Sequence, residues 1–187
     1  DPSLEDNIQG PSLIRVPSWV REPLGLYYLY FADHKGDYIR LAYADELLGP
    51  WKIYGPGSLQ LSESLFATQA PEYSWVDIAT ARFVAAARGV ELQHDLEKEL
   101  TAPHIASPDV HVDAVNQRIV MYYHGLSGFA EQSSRVATST DGIRFAAQPQ
   151  ILGKTYLRAF SHGGATYGLA MPGQFYRSED GFTNFET

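Results

Sequence analysis

Cysteine is absent from this 187-residue sequence. That absence excludes disulfides, thiolate metal sites and a cysteine nucleophile, yet it fits a reducing or an oxidising compartment equally, so localisation stays open. Basic residues are also scarce: 14 Lys and Arg stand against 22 Asp and Glu, for a net charge of -8. A chain of this charge has nothing with which to neutralise a row of phosphates, so nucleic acid is not an expected partner. Long apolar runs are missing as well. None approaches the roughly 18 to 20 residues that span a bilayer, and no signal-peptide pattern stands at the N-terminus, so no membrane partner is expected. A start at Asp1 in place of Met is what processing or excision would leave.

The residues that are present form a repeat. With 44% hydrophobic and 19% charged residues the chain can bury a core as one domain, or at most two. Three copies of one pattern run through Pro11 to Trp51, Pro108 to Phe145 and Thr155 to Phe185, each an extended run, an aromatic or apolar strand, and an Arg-containing strand closed by a turn. Arg40-Leu-Ala-Tyr-Ala-Asp45, Arg135-Val-Ala-Thr-Ser-Thr-Asp141 and Phe175-Tyr-Arg-Ser-Glu-Asp180 overlay, and the last two enter Asp-Gly turns. Strands are predicted over Leu26 to Ala32, Tyr38 to Ala44, Arg118 to His124, Ser133 to Ser139, Ala165 to Met171 and Gln174 to Ser178. From Val76 to Leu100, apolar residues recur mostly at helical spacing, which predicts one helix broken near Gly89 or two short ones. The charged stretch from Glu91 to Glu99 reads as a solvated face.

The expected fold is therefore all-β: a β-propeller-like array of about three four-stranded antiparallel blades in a single domain. The blades cover residues 10–55, 104–150 and 151–187, with a helical insertion at 66–102 between the first and second. Blade starts at Pro108 and Thr155 are 155 - 108 = 47 residues apart, within the roughly 40 to 50 of a propeller repeat. Three blades do not close a ring of typically four to eight. Either the natural product is longer or copies associate to cover the open faces.

Several segments resemble the five-bladed propellers of glycoside hydrolase families 43 and 32. They are Gly10-Pro-Ser-Leu-Ile-Arg-Val16 ahead of Tyr27-Tyr-Leu-Tyr-Phe31, Ala44-Asp45 running into Gly49-Pro-Trp51, Ser107-Pro-Asp-Val-His-Val-Asp113, and the Asp-Gly turns at Ser139 to Gly142 and Ser178 to Gly181. The resemblance implies an Asp, a second Asp and a Glu at matching places in three inner strands. Here Gly10, Ser107 and, by a looser alignment, Lys154 occupy those slots. Glycoside hydrolysis ordinarily uses one carboxyl group on the leaving oxygen and another on water or carbon, so that machinery does not transfer.

The second inner strand supplies the replacement candidates. Strand alternation puts Asp109, His111 and Asp113 on one face, which makes Asp109 and His111 the candidate catalytic pair and directs Asp113 to the following turn. His34, His104 and His124 fall where loops would meet a pocket, His34 and His124 at corresponding places in the repeat, and are candidate substrate-binding groups. Arg158, read in register with His111, is a candidate for orienting substrate; Arg40 and Arg135 share a repeat position and read as strand clamps. Three His and one Asp leave a divalent metal conceivable, but no short ligand spacing occurs and no cofactor is expected. The leading expectation is a carbohydrate-active enzyme, a glycoside hydrolase or a lyase, acting on a glycan or oligosaccharide through an atypical site. The alternatives are a non-catalytic glycan-binding propeller and an incomplete propeller fragment.

Overall fold

The computed structural model describes residues 8–89 and 95–187. Aromatic and β-branched residues favour a pleated, packed surface, and the aromatic run Tyr27–Ala32 forms a strand, β2. It pairs antiparallel with β1 (Gln9–Arg15) and β3 (Tyr38–Ala44), and β4 (Lys52–Gln60) completes a four-stranded sheet in the order β1-β2-β3-β4. After helices α1 (Trp75–Ala87) and α2 (Leu96–Thr101) the pattern recurs as β5 (Ile105–Asp113), β6 (Arg118–Gly128), β7 (Glu131–Ser139) and β8 (Ala146–Ala147). A third sheet holds β9 (Arg158–His162), β10 (Ala165–Ala170) and β11 (Gln174–Ser178), and an antiparallel bridge from Arg177 to Glu186 takes the place of its fourth strand. The architecture is the expected all-β array of three antiparallel blades with a helical insertion.

Strand pairing fixes which residues are equivalent. Ser12 faces Tyr30 in the first blade, Asp109 faces Tyr122 in the second, and Arg158 faces Leu169 in the third. Two residues ahead of each lies a left-handed residue: Gly10 (φ 54°), Ser107 (φ 51°) and Tyr156 (φ 57°). In the first two blades it sits within a register shift, a bulge that re-aims the strand. This register corrects three sequence alignments. Tyr156, not Lys154, stands at the third slot, and Arg158 matches Asp109, leaving Phe160 opposite the place of His111. His124 corresponds to Ala32, with His34 two residues further along in the β2–β3 loop. Arg40 and Arg135 do share a position, paired with Phe31 and Tyr123.

The same register explains how blades stack. On the first blade, Ile14, Tyr28, Tyr30 and Leu41 share the face toward the second and bury against Val110, Met121, Ala137 and Phe145. On the second blade, Val120, Tyr122 and Val136 bury against Leu157, Ala159, Ala170 and Tyr176 of the third. Two polar links repeat at each seam. Ser12 Oγ accepts the Val110 N–H at 2.8 Å, and Asp109 Oδ2 accepts the Ala159 N–H at 2.7 Å. The Tyr30 hydroxyl donates to the Gly142 carbonyl at 2.7 Å, and the Tyr122 hydroxyl to the Gly181 carbonyl at 3.0 Å. The Asp-Gly turns are shaped for this contact. Asp141 Oδ1 accepts from the Ile143 and Arg144 N–H groups, and Asp180 Oδ1 from those of Phe182 and Thr183. Gly142 and Gly181 sit at φ 73° and 74°, and a Cβ on either would lie 2.9 Å from the tyrosine oxygen it receives.

The insertion is two helices, one of the two arrangements left open by its periodicity. Ser74 and Asp77 cap α1 reciprocally, and Gly89 (φ 67°) follows its end. The residues read as continuing the helical pattern at Val90 and Leu92, and the start of the charged stretch at Glu91, lie outside the described residues. Within α1 only Ile78 is buried, whereas Trp75 and Phe83 face solvent. The insertion is tied down through α2: the Ala130 N–H donates to the Leu100 carbonyl at 3.0 Å, and Lys35 Nζ donates to the Glu99 carbonyl at 3.2 Å. No helix among the described residues is long and apolar enough to cross a membrane.

Replacing Tyr30 or Tyr122 by Phe removes one buried hydrogen bond and leaves a carbonyl without its donor. Each variant is expected to lose about 1 kcal/mol of stability or somewhat more, read as a lower urea midpoint at unchanged m-value. Gly142→Ala is expected to cost more than Tyr30→Phe, because it adds left-handed strain to the collision with the Tyr30 hydroxyl.

Candidate functional site

Alternation along β5 places Asp109, His111 and Asp113 on the face toward the third blade, as the sequence implies. Asp109 is mostly buried, and its carboxylate is heavily committed. Oδ2 accepts the Ala159 N–H and lies 3.0 Å from His111 Nε2, while Oδ1 is 3.8 Å from Arg158 Nη1. Arg158 Nη1 donates to the Pro108 carbonyl at 2.8 Å. Asp109 is therefore first a seam residue, in the place that Ser12 holds one blade earlier. Asp113 reaches its own hairpin, accepting from Asn116 N at 3.1 Å, Asn116 Nδ2 at 2.8 Å and Arg118 Nε at 2.7 Å. Burial pushes its carboxyl up, but the Asn116 and Arg118 donors outweigh that and hold it below the usual carboxylate range.

Of the three side chains that share this face of β5, His111 is the most open to solvent. Its ring meets Tyr122 edge-on at 5.8 Å and borders a cleft of about 350 Å³ between the second and third blades. Arg118, Ser161, Thr166, Asp180 and Phe182 also line this cleft, and the Arg118 guanidinium lies over the Phe182 ring at 4.0 Å. Its volume falls in the roughly 300 to 1,000 Å³ range of small-ligand sites. Its polar walls offer both donors and acceptors.

The starts of the inner strands form a different environment. At Gly10, a Cβ would lie 2.5 Å from Ser107 Cα and 3.1 Å from Arg158 Nη2, so a side chain does not fit in the first carboxylate slot. Ser107 and Tyr156 hold the other two slots. Beside them His124 packs its ring 4.6 Å from Tyr156 and 5.8 Å from His104, and the His104 Nδ1 donates to the Ala102 carbonyl at 2.8 Å. Both histidines are buried, at 3% and 1% exposure, so neither presents its ring to solvent. Burial pushes His124 down to about 3 and His104 to about 4, which leaves both neutral near pH 7.

His34 stands apart from the Asp109 group. Its Nε2 lies 3.1 Å from Glu99 Oε1, and Lys35 Nζ lies 3.3 Å from Glu99 Oε2. Burial raises the Glu99 carboxyl, but Lys35 and His34 outweigh it and hold it low. Sequence reading placed Glu99 on a solvated face; it instead anchors the insertion to the first blade. No local signal marks it, because its partners are 64 and 65 residues away. Tyr156 was missed for a related reason, since only the register reveals its slot. Among the described residues no three His, Asp or Glu side chains gather to hold a metal ion.

The two buried histidines make stability depend on pH. Both bind a proton less readily in the folded chain than at the ordinary value of 6.5. Between that value and their folded values the unfolded chain takes up more protons. Stability is then full above pH 6.5 and falls as pH drops through this window, by up to about 1.4 kcal/mol per pH unit for each ring. Urea midpoints taken from about pH 7.5 to about pH 5, above most carboxylate titration, are expected to fall, and His104→Gln with His124→Gln to flatten the decline.

No family model matches the chain. It is 34% identical over 191 residues to the uncharacterized protein R118 of Acanthamoeba polyphaga mimivirus, a match that takes in 96% of this chain and 46% of that protein. The chain thus spans about half the length of this curated relative. Among solved structures it is similar to Zg3597, a family 117 glycoside hydrolase of Zobellia galactanivorans (TM-score 0.56, 19% identity, 96% of this chain and 44% of that one). An α-L-arabinofuranosidase of Clostridium thermocellum gives TM-score 0.56 at 16% identity, over 95% of this chain and 49% of that one. The family 43 arabinoxylan arabinofuranohydrolase of Bacillus subtilis gives 0.52 at 15%, over 94% and 34%. At these identities the likeness is one of fold: the chain has the propeller-like blade architecture of these glycoside hydrolases.

Proposed function

We propose that this chain belongs to a carbohydrate-binding propeller that receives a glycan in the cleft beside His111 and does not cleave it by the two-carboxylate route. One observation carries the reading: the three inner-strand slots hold Gly10, Ser107 and Tyr156, and the Gly10 bulge is packed too closely on Ser107 to admit a carboxylate. Without a carboxyl pair at those slots, the two-carboxylate route lacks its usual agents there for protonating a leaving oxygen and activating water. The cleft retains what sugar recognition needs. His111, Arg118, Ser161, Thr166 and Asp180 supply directional polar groups to hydroxyls, next to the apolar surface of Tyr122 and Phe182. The glycoside hydrolase fold of the similar structures supports carbohydrate as the ligand class.

A second reading, an enzyme with an atypical site, is favoured by the 3.0 Å contact between Asp109 and His111 at the cleft edge. There Asp109 orients the imidazole, His111 transfers the proton, and Arg158 orients the substrate or pairs with a uronate carboxylate in a lyase. His34, His104 and His124 then act as supports at the strand starts.

Calorimetric titration against neutral and uronic oligosaccharides separates the two. Binding is expected without bond cleavage, and His111→Ala or Arg118→Ala is expected to weaken it about tenfold, the value of one good polar contact. Product release that disappears in Asp109→Asn and His111→Ala would establish the enzyme reading. A lack of binding to every sugar on the panel would sink both.

A further inference from the structure

The third blade repeats the stacking face of the first two, but no blade among the described residues covers it. Pairing register makes Tyr30, Tyr122 and Leu169 equivalent, and likewise Leu41, Val136 and Phe175, and Ile14, His111 and Phe160. Tyr30, Leu41 and Val136 are 0% exposed and Tyr122 is 4% exposed, all against the following blade; Leu169 is 50% exposed, Phe175 52% and Phe160 48%. These side chains are already organised. Phe160, Tyr167 and Phe175 form one aromatic cluster, Tyr167 lying near-parallel to Phe160 at 5.6 Å and to Phe175 at 5.4 Å, with Phe160 and Phe175 themselves 6.2 Å apart. An apolar aromatic row of this kind on a sheet face is costly to leave in water.

We propose that this face is the seat of a further blade of the same repeat, carried by a longer polypeptide. Three observations select that occupant. The face continues, position for position, the two blade seams already formed within the chain. The curated relative is matched over only 46% of its length, which leaves room for more blades. The similar propeller structures likewise extend well beyond the matched part, which is 44% of one and 49% of another.

This seam differs in chemistry from the first two. At the place of the acceptors Ser12 and Asp109 stands Arg158, whose guanidinium turns back to the Pro108 carbonyl, and at the place of the two tyrosine hydroxyls stands Leu169. Both polar links are therefore lost at this position. The joint is apolar, held by Phe160, Tyr167, Leu169 and Phe175. The inference does not depend on the glycan reading.

The lack of native cysteine permits a direct test by thiol labelling. In this chain, Phe175→Cys is expected to react at nearly the rate of a free thiol, and Val136→Cys, its buried equivalent, far more slowly. In the full-length mimivirus relative, in a cysteine-free background, a cysteine at the position aligned with Phe175 is expected to be protected at least about a hundredfold. Because Val136→Cys alters a core position, Leu169→Lys gives a second measure. It is expected to leave the urea midpoint of this chain nearly unchanged, and the aligned substitution to destabilise the full-length relative. Free labelling in the full-length relative would overturn the proposal. So would protection in this chain that grows with its own concentration, since the occupant would then be a second copy.

Discussion

One side-chain oxygen on each of the first two inner strands holds the blades in register. Just after each left-handed bulge residue, the strand turns a side chain toward the next blade, and in the first two blades that side chain accepts a backbone N–H across the seam: Ser12 from Val110, Asp109 from Ala159. A buried N–H without a partner costs more than one hydrogen bond returns, so the acceptor is needed wherever apolar faces close over it. The tyrosine hydroxyls that reach the Asp-Gly turns apply the same logic at the next strand. Between these polar points the apolar faces supply the bulk of the stabilisation.

That requirement shapes the candidate site. Asp109 is the carboxylate best placed along the second inner strand, but the seam has first use of it, and the Arg158 and His111 contacts occupy what remains. His111, two residues further along the same face, passes beyond the closed part of the seam and meets the cleft. The strand starts, where the resembling hydrolases keep carboxylates, are closed here by contact between Gly10 and Ser107 and floored by two neutral, buried histidines. The polar groups open to solvent therefore lie at the seam between two blades and not at the strand starts.

Much of the fold was legible because it is repeated. Tyr38–Ala44 was read with its observed limits, and the Asp-Gly turns marked where two third strands end, since Asp caps a turn through its own side chain and Gly supplies the positive φ. Alternation also put Asp109, His111 and Asp113 on one face. Alignment of the blades was less secure. A bulge inserts a residue with no change in residue type, so the matches of Arg158 to His111 and Lys154 to the third slot slipped; His34 was matched to His124 because β6 runs on past the place where β2 ends, and backbone pairing was required to reset all three. Glu99 shows the other limit. In sequence it belongs to a charged run, and only the folded loop brings His34 and Lys35 to it.

The sequence by itself determined the all-β repeat, the helical interruption, the lack of thiol chemistry and the loss of carboxylates at Gly10 and Ser107, because residue type, spacing and local backbone preference are written along the chain. Tertiary structure alone decided that Asp109 is a clasp, that His111 borders a cleft, that His104 and His124 are buried and neutral, and that the aromatic face of the third blade stands open. Those properties depend on desolvation and on contacts between residues far apart in the chain, and neither exists until the blades are stacked.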